Sequence, residues 1–152
     1  LIILSGPEPN RTSLEKKLKN EFSNYNGKIV LVQGKIENQQ KKSEENNIII
    51  YNFMLSDELQ NTINSSKIVV CRSGYSSIMD LAVLEKKAFF IPTKHQTEQE
   101  YLSKYLSENK VAPFCSEEDF TVKKLLAINN YTGLKSEETK LKANLFSLFE
   151  RK

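Results

Sequence analysis

Residues 71 to 77, Cys71-Arg72-Ser73-Gly74-Tyr75-Ser76-Ser77, end an apolar run and open a segment that carries Asp80. The run before them, Lys67-Ile68-Val69-Val70-Cys71, reads as a buried strand, and the Ser-Gly turn starts a helix. Its first backbone N–H groups, those of Tyr75, Ser76 and Ser77, have no partner within the helix and sit at the positive end of its dipole, so they can receive an anion. Asp80 follows Ser76 by one helical turn, which puts a carboxylate just below that anion. Carboxylates accept hydrogen bonds from vicinal hydroxyls, as an acid does from ribose in dinucleotide folds. The plainer alternative is an ordinary helix N-terminus with a solvated Asp80.

A second unit of the same kind follows. Ala88-Phe89-Phe90-Ile91-Pro92 reads as a buried strand, and Thr93-Lys94-His95-Gln96-Thr97-Glu98-Gln99-Glu100-Tyr101 as a polar loop entering a helix. Taken in order through residues 68 to 101, the block resembles the donor-binding half of the GT-B glycosyltransferases. It is nearest to the MurG-like enzymes of family 28, which move N-acetylglucosamine from a uridine diphosphate. The pattern shared is an apolar strand, a Ser-Gly turn, a helix with an acid, an apolar strand ending in Pro, and a loop with His and Gln. The resemblance spreads over roughly residues 1 to 112.

That resemblance implies roles residue by residue. Leu1 to Gly6 stand as the family's first strand and Gly turn, and Asn10 and Arg11 lie in what would be its phosphate loop. Pro7 and Pro9 remove two N–H donors from that loop. Phe53 and Met54 fall in the segment whose backbone, in the family, pairs with the uracil edge. Arg72 and the turn Ser73, Gly74, Tyr75, Ser76 and Ser77 would hold the diphosphate, and Asp80 the ribose. His95, Gln96, Gln99 and Glu100 would face the donor sugar. Tyr75 after the turn, Asp80 where near relatives carry Glu, and Glu100 where they carry a second Gln are departures from the family pattern.

No catalytic base is assigned in this chain. His95 is the only histidine, yet in the resembling enzymes the proton acceptor belongs to the other half, and a plain surface-loop histidine is the alternative. Thr97 with Glu100 fits a capping box, so Glu100 could simply close a helix N-terminus. Arg11 and Arg72 are ranked below the backbone donors, since an arginine in a surface loop is commonly solvated. No metal and no cofactor are expected: there is no Asp-x-Asp pair, and Glu117-Glu118-Asp119 after Ser116 reads as a capped helix start.

The elements that must position these residues alternate between strand and helix. Strands are expected near 1–5, 28–33, 48–51, 67–71, 88–92 and 111–114, with helices between. This predicts an α/β, Rossmann-like, doubly wound and mainly parallel sheet of about six strands, in the order 3-2-1-4-5-6, helices on both faces. Leu14, Leu18 and Phe22 repeat at four-residue spacing behind a Thr12-Ser13-Leu14-Glu15 capping box. Residues 35–47 are polar and aperiodic, and read as a mobile loop.

The 152 residues, 39% of them hydrophobic, suffice for one core, so residues 1–152 are expected to be a single nucleotide-sugar-binding domain excised from a two-domain protein. The run 136–152 reads as a terminal helix that covers its own sheet or crosses to a neighbouring domain or partner subunit. With 22 basic and 19 acidic residues the net charge is +3, scattered rather than clustered, which implies no nucleic acid. Two cysteines without paired spacing suggest free thiols.

The expected activity is that of the donor-binding half of a glycosyltransferase. It would move a hexose, N-acetylglucosamine by default, from a UDP-sugar to a saccharide or lipid-linked acceptor hydroxyl with inversion. A nucleotide-sugar epimerase or hydrolase of the same fold, and a non-catalytic donor-binding subunit needing a partner chain, are the alternatives. The expected location is cytoplasmic, at the periphery of a membrane.

Overall fold

A computed structural model of the chain describes residues 1–136. Its six-stranded sheet has the order β3-β4-β2-β1-β5-β6, where β1 is Ile2–Ile3, β2 Ile29–Val32, β3 Lys42–Glu45, β4 Ile48–Tyr51, β5 Val69–Cys71 and β6 Ala88–Phe90. All pairs are parallel except β3 with β4. The helices are α1 (Asn10–Phe22), α2 (Ser56–Ser65), α3 (Tyr75–Val83) and α4 (Thr97–Glu108), followed by a 3-10 segment over Val122–Asn130.

Both faces of the sheet are covered, which is why β5 and β6 are apolar at every position rather than alternating. On one face, Leu14, Leu18 and Phe22 of α1 and Ile128 of the 3-10 segment pack with Ile2, Leu31, Phe89 and Phe120. Edge-on contact between Phe89 and Phe120, centroids 5.6 Å apart, anchors this layer. On the other face, Ile63, Ile78 and Leu81 of α2 and α3 pack with Val69, Cys71, Phe90 and Leu134.

The expected strand order holds, with two changes at the edges of the sheet. Residues 35–47 are not a loop throughout: Lys42–Glu45 pair antiparallel with β4, Glu45 opposite Ile48. The connection is Asn46-Asn47, both with positive φ, 47° and 64°, as a two-residue type I′ hairpin turn requires. This strand has no apolar side chain, and its charged, fully exposed edge discourages pairing with other chains. Before it, the buried Asn52 side chain accepts the N–H of Lys41 at 2.7 Å and donates to the Gln39 carbonyl at 2.8 Å, holding that segment against β4. At the other edge the strand expected at 111–114 is a single bridge between Phe90 and Phe114, because Pro113 has no N–H to continue the ladder.

Neither capping box forms as expected. Helix α1 starts at Asn10, two residues before Thr12, since the Glu8 carboxylate accepts the Thr12 N–H at 3.1 Å. Thr97 is already inside α4 and does not cap it. The run expected as a terminal helix over 136–152 lies, apart from Ser136, outside the described residues.

Candidate functional site

Strands β1 and β5 are neighbours whose following helices depart to opposite faces and opposite directions, so their C-terminal ends open the crevice where open α/β sheets bind ligands. The loop Leu4 to Asn10 leaves β1 there, the turn Arg72 to Gly74 leaves β5, and the loop Ile91 to Gln96 leaves β6 beside them. These are the segments singled out by their residues.

Gly74 is the N-cap of α3, and no side chain occupies its capping position. Space around Gly74 is open, with no heavy atom within 4 Å of where a Cβ would stand. Tyr75 and Ser76 are exposed, and so is Asp80 one turn along. Among the described residues the Asp80 carboxylate makes no hydrogen bond or ion pair, so both oxygens face outward unpaired. Gly6 adopts φ +95° in open space, as its loop requires a left-handed residue.

The structure moves several expected ligands into supporting roles. Arg72 is not a solvated loop residue: it is 2% exposed. Its guanidinium donates to the Ile91 and Pro92 carbonyls at 3.1 Å each, to the Asn10 carbonyl at 3.3 Å and to Glu117 at 2.9 Å. Asn10 thereby serves through its carbonyl, as the first residue of α1. Arg11 is held by Glu8 at 2.6 Å and by the Gly34 carbonyl at 2.8 Å, so its charge is balanced within its own loop. Hydrogen bonds from Thr12 and Arg11 hold the Glu8 carboxyl below the ordinary carboxylate range. The Ser73 hydroxyl also turns inward, donating to the Gln99 carbonyl at 2.9 Å and accepting from the Ser103 hydroxyl at 2.7 Å.

The loop after β6 is closed by its own side chains. Gln99 accepts the Thr93 N–H at 2.9 Å and donates to the Gln96 side chain at 2.6 Å. Glu100 accepts the His95 N–H at 2.9 Å, so it closes the turn before α4 as the capping reading anticipated, without Thr97. His95 is exposed and stands at φ +66°, an uncommon backbone state for a non-glycine residue. Phe53 and Met54 follow β4, roughly 14 Å from β5 at three strand spacings. The Phe53 carbonyl accepts from Gln40 at 3.0 Å, while neither backbone group of Met54 is paired among the described residues.

Three residues lie outside the expected site set: Asn52, Ser103 and Glu117, the last expected in a capped helix start but lying in a turn in which the Ser116 hydroxyl accepts the Asp119 N–H at 3.1 Å. Asn52 carries a usable signal, a lone amide directly after an apolar strand. Ser103 and Glu117 carry none, being polar residues on a helix face and in a charged turn. A concavity of about 810 Å³ lies elsewhere, between α1 and the β3 hairpin, lined by Lys16, Lys19, Lys35 and Glu45. It runs along the length of α1 from Thr12 to Ser23 and mixes both charges, and none of the expected site residues lines it. Burial pushes the Cys71 thiol up to about 12 and the Cys115 thiol up to about 11, and both are free, so neither is a ready nucleophile at neutral pH.

Residues 10–146 match the family model described as glycosyltransferase family 28 C-terminal domain. The chain is similar to UDP-N-acetylglucosamine--N-acetylmuramyl-(pentapeptide) pyrophosphoryl-undecaprenol N-acetylglucosamine transferase of Pasteurella multocida (strain Pm70). Identity there is 32% over 73 residues, 47% of this chain and 21% of that protein. The protein of the same name from Haemophilus influenzae (strain PittEE) is 32% identical over 83 residues, 53% of this chain and 24% of its own length. The matches thus span about a quarter or less of those curated relatives. Among solved structures, the solution structure of ALG13 superposes with a TM-score of 0.60 at 13% identity, over 97% of this chain and 92% of that one. The glycosyltransferase SnogD from Streptomyces nogalater gives 0.61 at 10% identity, over 84% and 33%. At such identities the likeness is one of fold. No helix among the described residues is long and apolar enough to cross a membrane.

Proposed function

The chain belongs to the glycosyltransferase family 28 C-terminal domains, and from that premise we propose that it is the donor-binding half of a hexosyltransferase using a UDP-sugar. One observation carries the reading: α3 starts at the crevice between β1 and β5 with an open N-terminus, and the exposed Asp80 carboxylate, unpaired among the described residues, follows one turn along it. The N–H groups of Tyr75, Ser76 and Ser77 would take the diphosphate, Asp80 the ribose diol, and the unpaired backbone of Met54 the uracil edge. The His95 and Gln96 side chains would meet the sugar, on a loop whose shape Gln99 and Glu100 hold.

In transfer, negative charge grows on the departing diphosphate, and donors already fixed at a helix N-terminus stabilise it without reorganising. The reaction inverts the anomeric carbon if the acceptor hydroxyl attacks from the face opposite this leaving group. Activation of that hydroxyl needs a base, and we assign it to the acceptor-binding half. N-acetylglucosamine is the donor sugar favoured by the relatives' names, and a lipid-linked acceptor reached from the membrane surface is favoured likewise. No metal or cofactor is invoked.

A second reading is a donor-binding subunit whose acceptor half is a separate chain; the ALG13 match favours it in that this fold accounts for 92% of that solved structure, which leaves it no second domain. Titration of the isotope-labelled chain with UDP tests donor binding for both. Shifts are expected at Gly6, Met54, Ser73 to Ser77 and Asp80; none at millimolar ligand, or shifts scattered elsewhere, would overturn the assignment.

A further inference from the structure

Arg72 is the largest side chain among those fully buried, and a buried guanidinium is costly unless its donors are matched by fixed acceptors. Its acceptors come from three separate places around the proposed donor site. They are the Ile91 and Pro92 carbonyls at the root of the His95 loop, the Asn10 carbonyl at the first residue of α1, and the Glu117 carboxylate. Glu117 in turn accepts the Ser13 hydroxyl at 2.8 Å through its other oxygen. One ion pair therefore ties the turn after β5 to the loop after β1 and the loop after β6, the segments that border the crevice.

Resting on the donor-site reading above, we propose that Arg72 and Glu117 are a positioning pair that fixes the spacing of the phosphate-receiving loops, and that Arg72 is not itself a ligand of the diphosphate. The geometry favours this because four of its five N–H donors already have protein acceptors, two on each terminal nitrogen, and the charge is balanced by Glu117 at 2.9 Å. The remaining donor, on Nε, is buried without a partner, so the group sits below the surface rather than at it.

The two roles predict opposite signs. If Arg72 held phosphate, replacing Glu117 would release its full charge, and both Glu117→Ala and Glu117→Gln would tighten UDP binding. If the pair positions loops through hydrogen bonds, Glu117→Ala should weaken UDP binding about fivefold, whereas Glu117→Gln, which keeps an oxygen acceptor, should restore it to within about twofold. Calorimetric titration of the full 152-residue chain with UDP reads this, at a temperature where thermal melts show each variant folded.

Ligand-free amide exchange supplies the independent measurement. Glu117→Ala should speed exchange at Ser13 and Leu14 and at Ile78, whose N–H is held by the Gly74 carbonyl at 3.0 Å, with Glu117→Gln close to the parent chain. Tighter UDP binding by both variants, or unchanged exchange at both loops in Glu117→Ala, overturns the proposal. Should the parent chain itself bind no UDP, the donor-site reading fails while the exchange measurement still decides the clasp. If Glu117→Ala fails to fold, Ser13→Ala, which removes only the hydroxyl that Glu117 holds, should speed exchange at the same amides, and unchanged rates there overturn the proposal.

Discussion

A side chain's usefulness to a ligand depends on whether the protein has already claimed its polar atoms. Asp80 is unclaimed, so Asp80→Ala should weaken UDP binding by roughly 1–3 kcal/mol, the range for hydrogen bonds to a charged group, and leave the thermal midpoint nearly unchanged. Calorimetry paired with a thermal melt checks both halves of that expectation. Glu8 is claimed, by Thr12 and Arg11, and its lowered pKa fixes the sign of a pH effect. A carboxylate depressed in the folded state contributes stability fully above its unfolded value, near 4.5, and loses it as pH falls through the lower folded value. Exchange of the Thr12 and Ser13 amides should therefore accelerate, relative to the rest of α1, as pH drops below that range. The same acceleration in a Glu8→Gln chain would assign it to another group.

Elements at the two edges of the sheet behaved differently from those at its centre. Central strands announce themselves by unbroken apolar runs such as Val69 to Cys71, because both faces are covered. The edge strand Lys42–Glu45 has no apolar residue at all and owes its existence to β4 and to the Asn46-Asn47 turn. A β-branched residue in the left-handed region costs about 1–2 kcal/mol, so Asn47→Val should destabilise the chain by about that much while Asn47→Gly is nearly neutral. Chemical denaturation of the two variants measures the difference, and equal midpoints would mean the turn does not hold the hairpin. In the sequence both the turn and the strand it serves fall within the polar stretch 35–47 that reads as a loop, since neither carries an apolar residue.

At the level of the whole molecule, Phe120 is the test of how the segment after β6 is tied to the sheet. It is fully buried against Phe89 and Phe22 from strand and helix, so Phe120→Ala should cost about 3–5 kcal/mol through lost burial and a cavity. Unfolding followed by far-ultraviolet circular dichroism should shift accordingly. The crevice at the C-terminal ends of β1 and β5 is where the proposed acceptor-binding half would close. Sugar transfer from UDP-N-acetylglucosamine to lipid or saccharide acceptors by this chain alone is expected to be absent, and turnover would turn the search for a base to His95, Glu98 and Glu100.

The sequence by itself determined the alternation of elements, the central parallel strands with their order, and the turn from Ser73 to Ser77 with Asp80 behind it. Each of these depends on neighbours within a few residues: apolar runs, a Gly turn, one helical period. Tertiary structure alone decided what the polar side chains around the crevice do. Arg72 finds Asn10 at a separation of 62 residues and Glu117 at 45, and Ser73 finds Ser103 at 30. Local spacing carries no trace of such partners, because a polar group taken out of water must be matched by whatever the fold brings within reach, and that is set by how the strands and helices pack.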